Sequence, residues 1–417
     1  MAAPVMGNGV NGVGHLYMQT NEIRNRIIHY VRGADGMLAE SGRALTGGPG
    51  TGGYNPLVNR ESTPNNFEGA RSVILSPDRR LLFTTNAGDN SVSSFAVGED
   101  GRLTLVDAKR TGNIVDGRFG TAKSLAYDAS TGTLYVLHSL GPDHLWLMSV
   151  DEDGRLSPRS ERYTVNTAEK LDRVATMVTL SPDGKYLIVG TTFDERAKAN
   201  PDGSPILWVT HNGDAPRLVA SNAPDPDGLV VFPVNGHGAL GEPRFQDGGG
   251  GSPWFPLFLN HRPNEFLLGY AVADGVSLAH LDSDGNVSTG PVVGVDTSAG
   301  QPSELCWLSV TPDDEMVFAT NFGYSYITSY RLDGNVLSVA KDPACPKVPG
   351  NGTYRALNGT VSSGPSDNWL SPDGAYLYQI YGNAAKLVGY SVQGDGGLDP
   401  VTSCDIPYNS SQGLAGF

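Results

Sequence analysis

An all-β chain closed into a ring of seven four-stranded blades is what this sequence predicts. Three observations carry the prediction. A four-stranded antiparallel meander is legible in residues 71–106. The same meander recurs along the chain. The two chain ends hold complementary fragments of one further copy.

The first complete copy has the clearest pattern. Apolar residues alternate from Val73 to Leu75, and Ser76-Pro77-Asp78 makes a turn. A second run covers residues 81–85, residues 86–90 turn again, and a third run covers residues 92–97. A fourth, residues 103–106, follows the turn Glu99-Asp100-Gly101. Proline presets φ for such turns, and Asp or Asn bonds back to its own backbone. The turn-plus-strand unit returns at residues 181–187, 311–317 and 371–377, and in degenerate form at residues 128–134 and 260–266. Most copies lie about 50 to 60 residues apart, the sign of a repeat architecture. The N-terminus adds three strands, at residues 15–20, 26–31 and 37–41, and residues 413–417 can supply the missing innermost one. Seven meanders set radially make a seven-bladed β-propeller closed by its own ends. The 54 Gly and 28 Pro among 417 residues suit many short strands and turns.

Residues 1–14 are small and Gly-rich and read as a flexible N-terminus, leaving residues 15–417 as one propeller domain. Three long connections interrupt the repeat: residues 47–67, 193–227 and 342–365. Strand order places all three on the face opposite the Ser-Pro-Asp turns. This upper face is where a central pocket is expected, since function concentrates in loops held by a rigid scaffold. Ala2-Ala3-Pro4 after a lone Met, with glycosylation sequons at Asn286, Asn351, Asn358 and Asn409, leads to the expectation of a secreted or secretory-pathway glycoprotein, with a cytoplasmic protein as the alternative. Cys306 lies in an apolar inner strand and is expected as a buried thiol. Cys345 and Cys404 flank the last blade, in positions compatible with a disulfide.

Residues opening each innermost strand, or ending each second strand, are expected to point toward the upper pocket. The catalytic candidates are Arg71, Lys123, His138 and Glu304. The substrate-binding candidates are Asn86, His144, Arg196, Trp254, Phe255, Trp307, Asn321, Tyr324, Trp369 and Tyr381. Met177, Phe322, Asp367, Asn368 and Asn383 fall in the same reading. Aromatic walls with a few charges suit a small organic ligand. Each candidate has a structural alternative: packing for the tryptophans, turn formation for the asparagines, a core position for His138 and a solvated charge for Arg71 and Lys123.

The net charge of −15 argues against nucleic acid and anionic membrane as partners. No apolar run approaches the ~20 residues of a spanning helix. HExxH, CxxC, GxSxG and P-loop patterns are missing, and the Gly-rich residues 247–251 follow no strand–helix unit. Neither a cofactor nor a metal is therefore expected. Asp183, Asp313 and Asp373 read as turn residues. A monomer acting on a small molecule is the expectation.

The stretch from Leu75 to Phe95, Leu-Ser-Pro-Asp followed by Leu-Phe, Asn-Ala-Gly and Val-Ser-x-Phe, resembles the seven-bladed lactonase family. That family includes bacterial 6-phosphogluconolactonase and fungal 3-carboxy-cis,cis-muconate lactonising enzyme. The ending Ile406-Pro407 with Gly413-Leu414-Ala415-Gly416-Phe417 resembles that of secreted fungal carboxymuconate-cyclase-like proteins. Lactonases of the family often carry Pro-Arg-His opening an inner strand. Here only Arg71 matches the arginine, and no histidine follows it. The fold implied is also similar to fungal hetero-Diels–Alderases of tropolone-sesquiterpenoid pathways. The resemblance implies a cofactor-free cyclase of a small unsaturated substrate, either lactonising or pericyclic. In the lactonising case His138 or Glu304 delivers a proton and Arg71 or Lys123 clamps a carboxylate. Lactone hydrolysis, or ligand binding without turnover, is the alternative.

Overall fold

A computed structural model describes residues 12–55, 62–64, 69–112, 114–115, 118–193, 225–295, 303–352, 354–356, 359–409 and 411–417. Its strands form seven antiparallel blade sheets around a central channel, plus a two-stranded pair of Ile114–Val115 and Arg118–Phe119. In blades two to seven the innermost strand is followed outward by its sequence neighbours. Blade one is Gly12–Gln19, Arg26–Gly33 and Leu38–Leu45, with Leu414–Gly416 innermost. Blade two is Val73–Leu75, Leu81–Asn86, Ser91–Val97 and Leu103–Arg110; blade three is Ala122–Asp128, Thr133–His138, Leu145–Val150 and Leu156–Tyr163. Blade four is Val174–Leu180, Tyr186–Phe193, Leu229–Pro233 and Arg244–Gln246. Blade five is Pro253–Phe258, Glu265–Tyr270, Gly275–Leu281 and Val287–Thr289, with Val293–Gly294 also pairing its third strand. Blade six is Leu305–Val310, Met316–Asn321, Tyr326–Asp333 and Val336–Lys341; blade seven is Pro365–Leu370, Tyr376–Tyr381, Lys386–Val392 and Leu398–Asp405. Among the described residues the one helical element is the 3-10 turn Gly382–Ala384.

The Ser-Pro-Asp signal works as a side-chain staple. The Ser76 hydroxyl donates to Asp78 at 2.6 Å and accepts from the Leu81 N–H at 2.9 Å. Ser181 with Asp183, Thr311 with Asp313 and Ser371 with Asp373 repeat it at 2.5–2.7 Å. Each staple ends one inner strand and starts the next, so its aspartate is structural.

Sheets with two apolar faces must bury both, and the ring does so between blades. Seven apolar clusters result, one at each interface between adjacent blades. Tyrosines add polar ties: Tyr17 of blade one donates to the Gly101 carbonyl of blade two at 2.7 Å, and Tyr378 of blade seven to that of Gly36 in blade one at 2.8 Å.

The ring closes as the chain ends predict. Leu16, Tyr17 and Met18 pair with Gly416, Ala415 and Leu414. The His15 N–H donates to Phe417 O at 2.8 Å, and the Phe417 N–H returns to His15 O at 2.9 Å. Gly416 is required by close approach: a Cβ there would lie 2.6 Å from His15 O and 2.8 Å from the Trp369 indole.

Several expectations are corrected. The first strand starts at Gly12, three residues earlier than expected. Cys345 and Cys404 are free thiols. Cys345 is buried against the hydroxyls of Tyr381 and Tyr390, while Cys404 lies in the outermost strand of blade seven. Most of the insertion at residues 193–227 lies outside the described residues.

Candidate active site in the central channel

Gly69 lies at the centre of the ring. Its carbonyl accepts from the Trp307 indole N–H at 3.2 Å and from the Gln412 amide at 2.7 Å. A Cβ at Gly69 would sit 3.0 Å from Thr176 O of blade four and 3.0 Å from the Lys123 side chain of blade three. The next residue, Ala70, is buried in one cluster with Met177, Trp254, Phe255 and Trp307. This segment and these aromatic rings therefore occupy the channel where the sequence reading expected an open upper pocket.

Arg71 follows, with a left-handed φ of 58°. Non-glycine residues rarely hold that conformation unless the surroundings enforce it, and such residues cluster at functional sites. Here it sends backbone and side chain to different partners. The Arg71 N–H donates to Asp367 Oδ2 of blade seven at 3.3 Å. The guanidinium makes one long hydrogen bond, Nη1 to Thr179 Oγ1 of blade four, at 3.5 Å. It forms no ion pair among the described residues. A guanidinium has five donors, so most of this one's capacity is unused by the described residues. Arg71 is enclosed by the ring yet partly water-accessible, and it lines a cavity of about 460 Å³ that opens on the face of the Ser-Pro-Asp turns. Arg71 is thus reached from the lower face, not the upper one.

Asp367 is 3% exposed. Burial pushes its carboxyl up to about 7, although the N–H of Arg71, that of Leu414, the Arg71 charge and the Asn368 N–H pull the other way. Burial likewise lowers the Arg71 value, opposed by Asp367. Near neutral pH the pair therefore offers a fixed cation and a carboxyl that can hold or release a proton.

The other predicted residues do not converge on Arg71. Lys123 is buried, with its ammonium on Ala175 O at 2.5 Å. His138 is fully buried: Nδ1 donates to His144 O at 3.1 Å and Nε2 meets the Thr111 hydroxyl at 2.6 Å. His144 donates from Nε2 to Arg173 O at 3.0 Å and accepts the Val165 N–H at Nδ1 at 3.3 Å. Burial lowers His138 to about 3 and His144 to about 4, so both are neutral cross-links. Glu304, half-buried, opens blade six with φ 53°, and its N–H bonds Asp274 at 2.8 Å.

Asn86 and Asn321 clasp neighbouring strands. Asn86 donates to Ser93 at 2.8 Å and Asn321 to Thr328 at 2.7 Å, each seven residues on; Tyr270 meets Ser277 at the same spacing at 2.8 Å. Tyr381, at the equivalent position, meets the Tyr390 hydroxyl at 2.8 Å. Trp254 and Trp307 pack edge-to-face at 5.9 Å, with Phe255 in the same cluster. Trp369 stacks on Tyr378 at 5.8 Å, and Tyr324 lies against Tyr326 at 5.6 Å. Arg196 lies outside the described residues.

The sequence reading named Asp367 only as a channel-facing residue, though its place in the repeat sets it apart. Counting four residues back from each staple gives Ser72, Met177, Trp307 and Asp367. One position in the repeat is thus neutral in those blades and acidic in blade seven, and an acid where packing wants none is a site signal.

No protein-family model matches the chain, and no curated protein matches it. Solved structures do. A "putative 6-phosphogluconolactonase" from Bacteroides fragilis aligns with TM-score 0.66 and 14% identity over 99% of this chain and 100% of that one. The periplasmic gluconolactonase PpgL of Pseudomonas aeruginosa aligns with TM-score 0.65 and 16% identity over 97% and 98%. A second "putative 6-phosphogluconolactonase", from Bacteroides uniformis, gives 0.66 and 13% over 98% and 100%. At such identities the likeness is one of fold: the chain shares the seven-bladed propeller architecture of these structures.

Proposed function

We propose that this protein opens or closes a lactone ring on a small carboxylic acid, in the channel below Gly69. The observation that carries the reading is the Arg71 guanidinium, held inside the ring with one long hydrogen bond among the described residues. A cation so placed suits a carboxylate or a carbonyl oxygen that gains charge, because its fork can grip two oxygens at once. The lactonase names of the solved neighbours agree in chemistry.

In ring closure, a carboxylate held by Arg71 adds through one oxygen to a carbon–carbon double bond. A C–O bond forms, the alkene pair moves to the neighbouring carbon, and the proton of Asp367 ends there. A carboxyl with a value near 7 supplies that proton at neutral pH. In hydrolysis, ionised Asp367 takes a proton from water as the water adds to the lactone carbonyl. Arg71 stabilises the oxyanion, the ring C–O bond breaks, and the proton returns to the leaving alkoxide. A pericyclic cyclisation would need open aromatic walls, and Trp254, Phe255 and Trp307 instead pack on one another.

The test is incubation with a panel of γ- and δ-lactones and their hydroxy and unsaturated acids, read by NMR. Conversion that vanishes in Arg71→Ala supports the reading. Conversion unchanged in that variant, or none with any panel member, overturns it.

A further inference from the structure

The cavity that reaches Arg71 has an uneven lining. Its walls carry Ile74 and Leu75 of blade two, Leu125 and Tyr127 of blade three and Leu180 of blade four. Arg71 is the one cation among its described lining residues. Two carboxylates, Asp128 and Asp183, also line it, in the turns that end the inner strands of blades three and four. Burial opposes their ionisation, yet bonds from Ser130 and Thr131 hold Asp128 below the usual carboxylate range, and bonds from Ser181 and Lys185 do so for Asp183. Both are therefore charged at neutral pH. From the Arg71 end toward the turns, the lining runs from cation through an aliphatic and aromatic wall to anions.

Resting on the lactone reading above, we infer that this lower mouth is the substrate entrance, and that it admits compounds with one carboxylate or lactone head and an apolar body, and rejects phosphorylated sugars. The head reaches Arg71, where a charge-assisted pair forms with little competing protein contact. The body lies on Ile74, Leu75, Leu125 and Leu180, where burial of apolar surface favours it. A polyhydroxylated body can reach polar groups only at Tyr127, Ser130 and Ser181 and the two carboxylates, and the hydroxyls it lays on Ile74, Leu75, Leu125 and Leu180 stay unpaired. A phosphate on the far end faces Asp128, which like charge makes repulsive, and Asp183, whose charge is partly offset by exposed Lys185 at 3.0 Å.

Calorimetric titration of the full chain with octanoate, 4-phenylbutanoate, gluconate and 6-phosphogluconate tests this without needing turnover. The first two should bind about ten-fold or more tighter than the last two, since a few buried methylenes separate them. Arg71→Ala should weaken octanoate by about ten-fold or more, the scale of one charged hydrogen bond. Leu180→Glu should abolish octanoate binding, and Leu180→Val should keep most of it, which controls for folding. Equal or tighter binding of 6-phosphogluconate, or octanoate binding indifferent to both Arg71→Ala and Leu180→Glu, overturns the inference. The two proposals fail separately. Arg71-dependent octanoate binding with no lactone turned over sinks the reaction and keeps the entrance. Lactone turnover unaffected by Leu180→Glu sinks the entrance and keeps the reaction.

Discussion

The amide of Arg71 and the carboxyl of Asp367 meet across the ring, 3.3 Å apart, while the guanidinium of the same arginine turns away to Thr179. One residue thus ties blade two to blade seven through its backbone and leaves its charge in the channel. The backbone orders this segment, and the side chain carries the charge into the channel.

That division separates folding from chemistry at Arg71. Arg71→Ala keeps the amide contact, so its melting temperature should stay within a few degrees of the wild type. Turnover should fall by one to three orders of magnitude, roughly the range for one preorganised donor. Arg71→Lys should recover only part, because an ammonium lacks the fork. Wild-type turnover in Arg71→Ala would refute the assignment.

Asp367 makes stability depend on pH in an unusual direction. Its folded value is about 7 against an ordinary 3.8, so between these the folded protein holds a proton that the unfolded chain has released. Stability from this group is complete below about pH 4 and is lost as pH rises toward 7. Asp367→Asn should remove that slope and melt at or above the wild type at pH 8. It should also lose most turnover. A denaturation series from pH 4 to 8 showing the same slope in both proteins would count against the buried acid.

His138 and His144 work in the opposite sense. Their folded values, about 3 and about 4, lie below the ordinary 6.5. The unfolded chain therefore binds protons first as pH falls below about 6.5, and stability is lost toward pH 4. His138→Gln should lower the melting temperature at neutral pH, since it breaks the links to Thr111 and His144. It should leave the pH–rate profile of the folded fraction unchanged. A shifted profile would restore His138 to the chemistry.

Removal of residues 412–417 should abolish cooperative melting or cause aggregation. The cut exposes the Gly12–Gln19 strand edge to the channel and frees Gly69 from Gln412. Gly416→Val is the milder version, costing about 1–3 kcal/mol by overpacking against His15 and Trp369. A truncated chain melting within a few degrees of the full one would refute closure by this strand.

The sequons divide by burial. In a secreting eukaryotic host, Asn286 and Asn351, both exposed, should carry glycans. Asn409 should not, because it is 2% exposed and its amide donates to Ser62 O at 2.7 Å. Peptide mapping that finds a glycan on Asn409 of folded protein would contradict this packing.

The sequence by itself determined the ring. Strand period, the Ser-Pro-Asp staples and the complementary ends are local signals, since each is set by residues within a few positions or by what a blade lacks. That is why the seven blades and the closing strand were legible. Arg71 stood out in the sequence as a cation opening an inner strand, but the sequence left a solvated charge equally open there. The seven-residue clasps at Asn86 and Asn321 were equally present in the sequence, but an amide in a turn looks the same whether it bonds its own blade or a ligand. Only the tertiary structure decided what fills the channel. Gly69 and Ala70 cross to partners on blades four, five and six, and Asp367 meets an amide 296 residues away. Such contacts depend on the ring being closed, so no local pattern encodes them. The face from which Arg71 is reached depends on them too, and with it the place of the site.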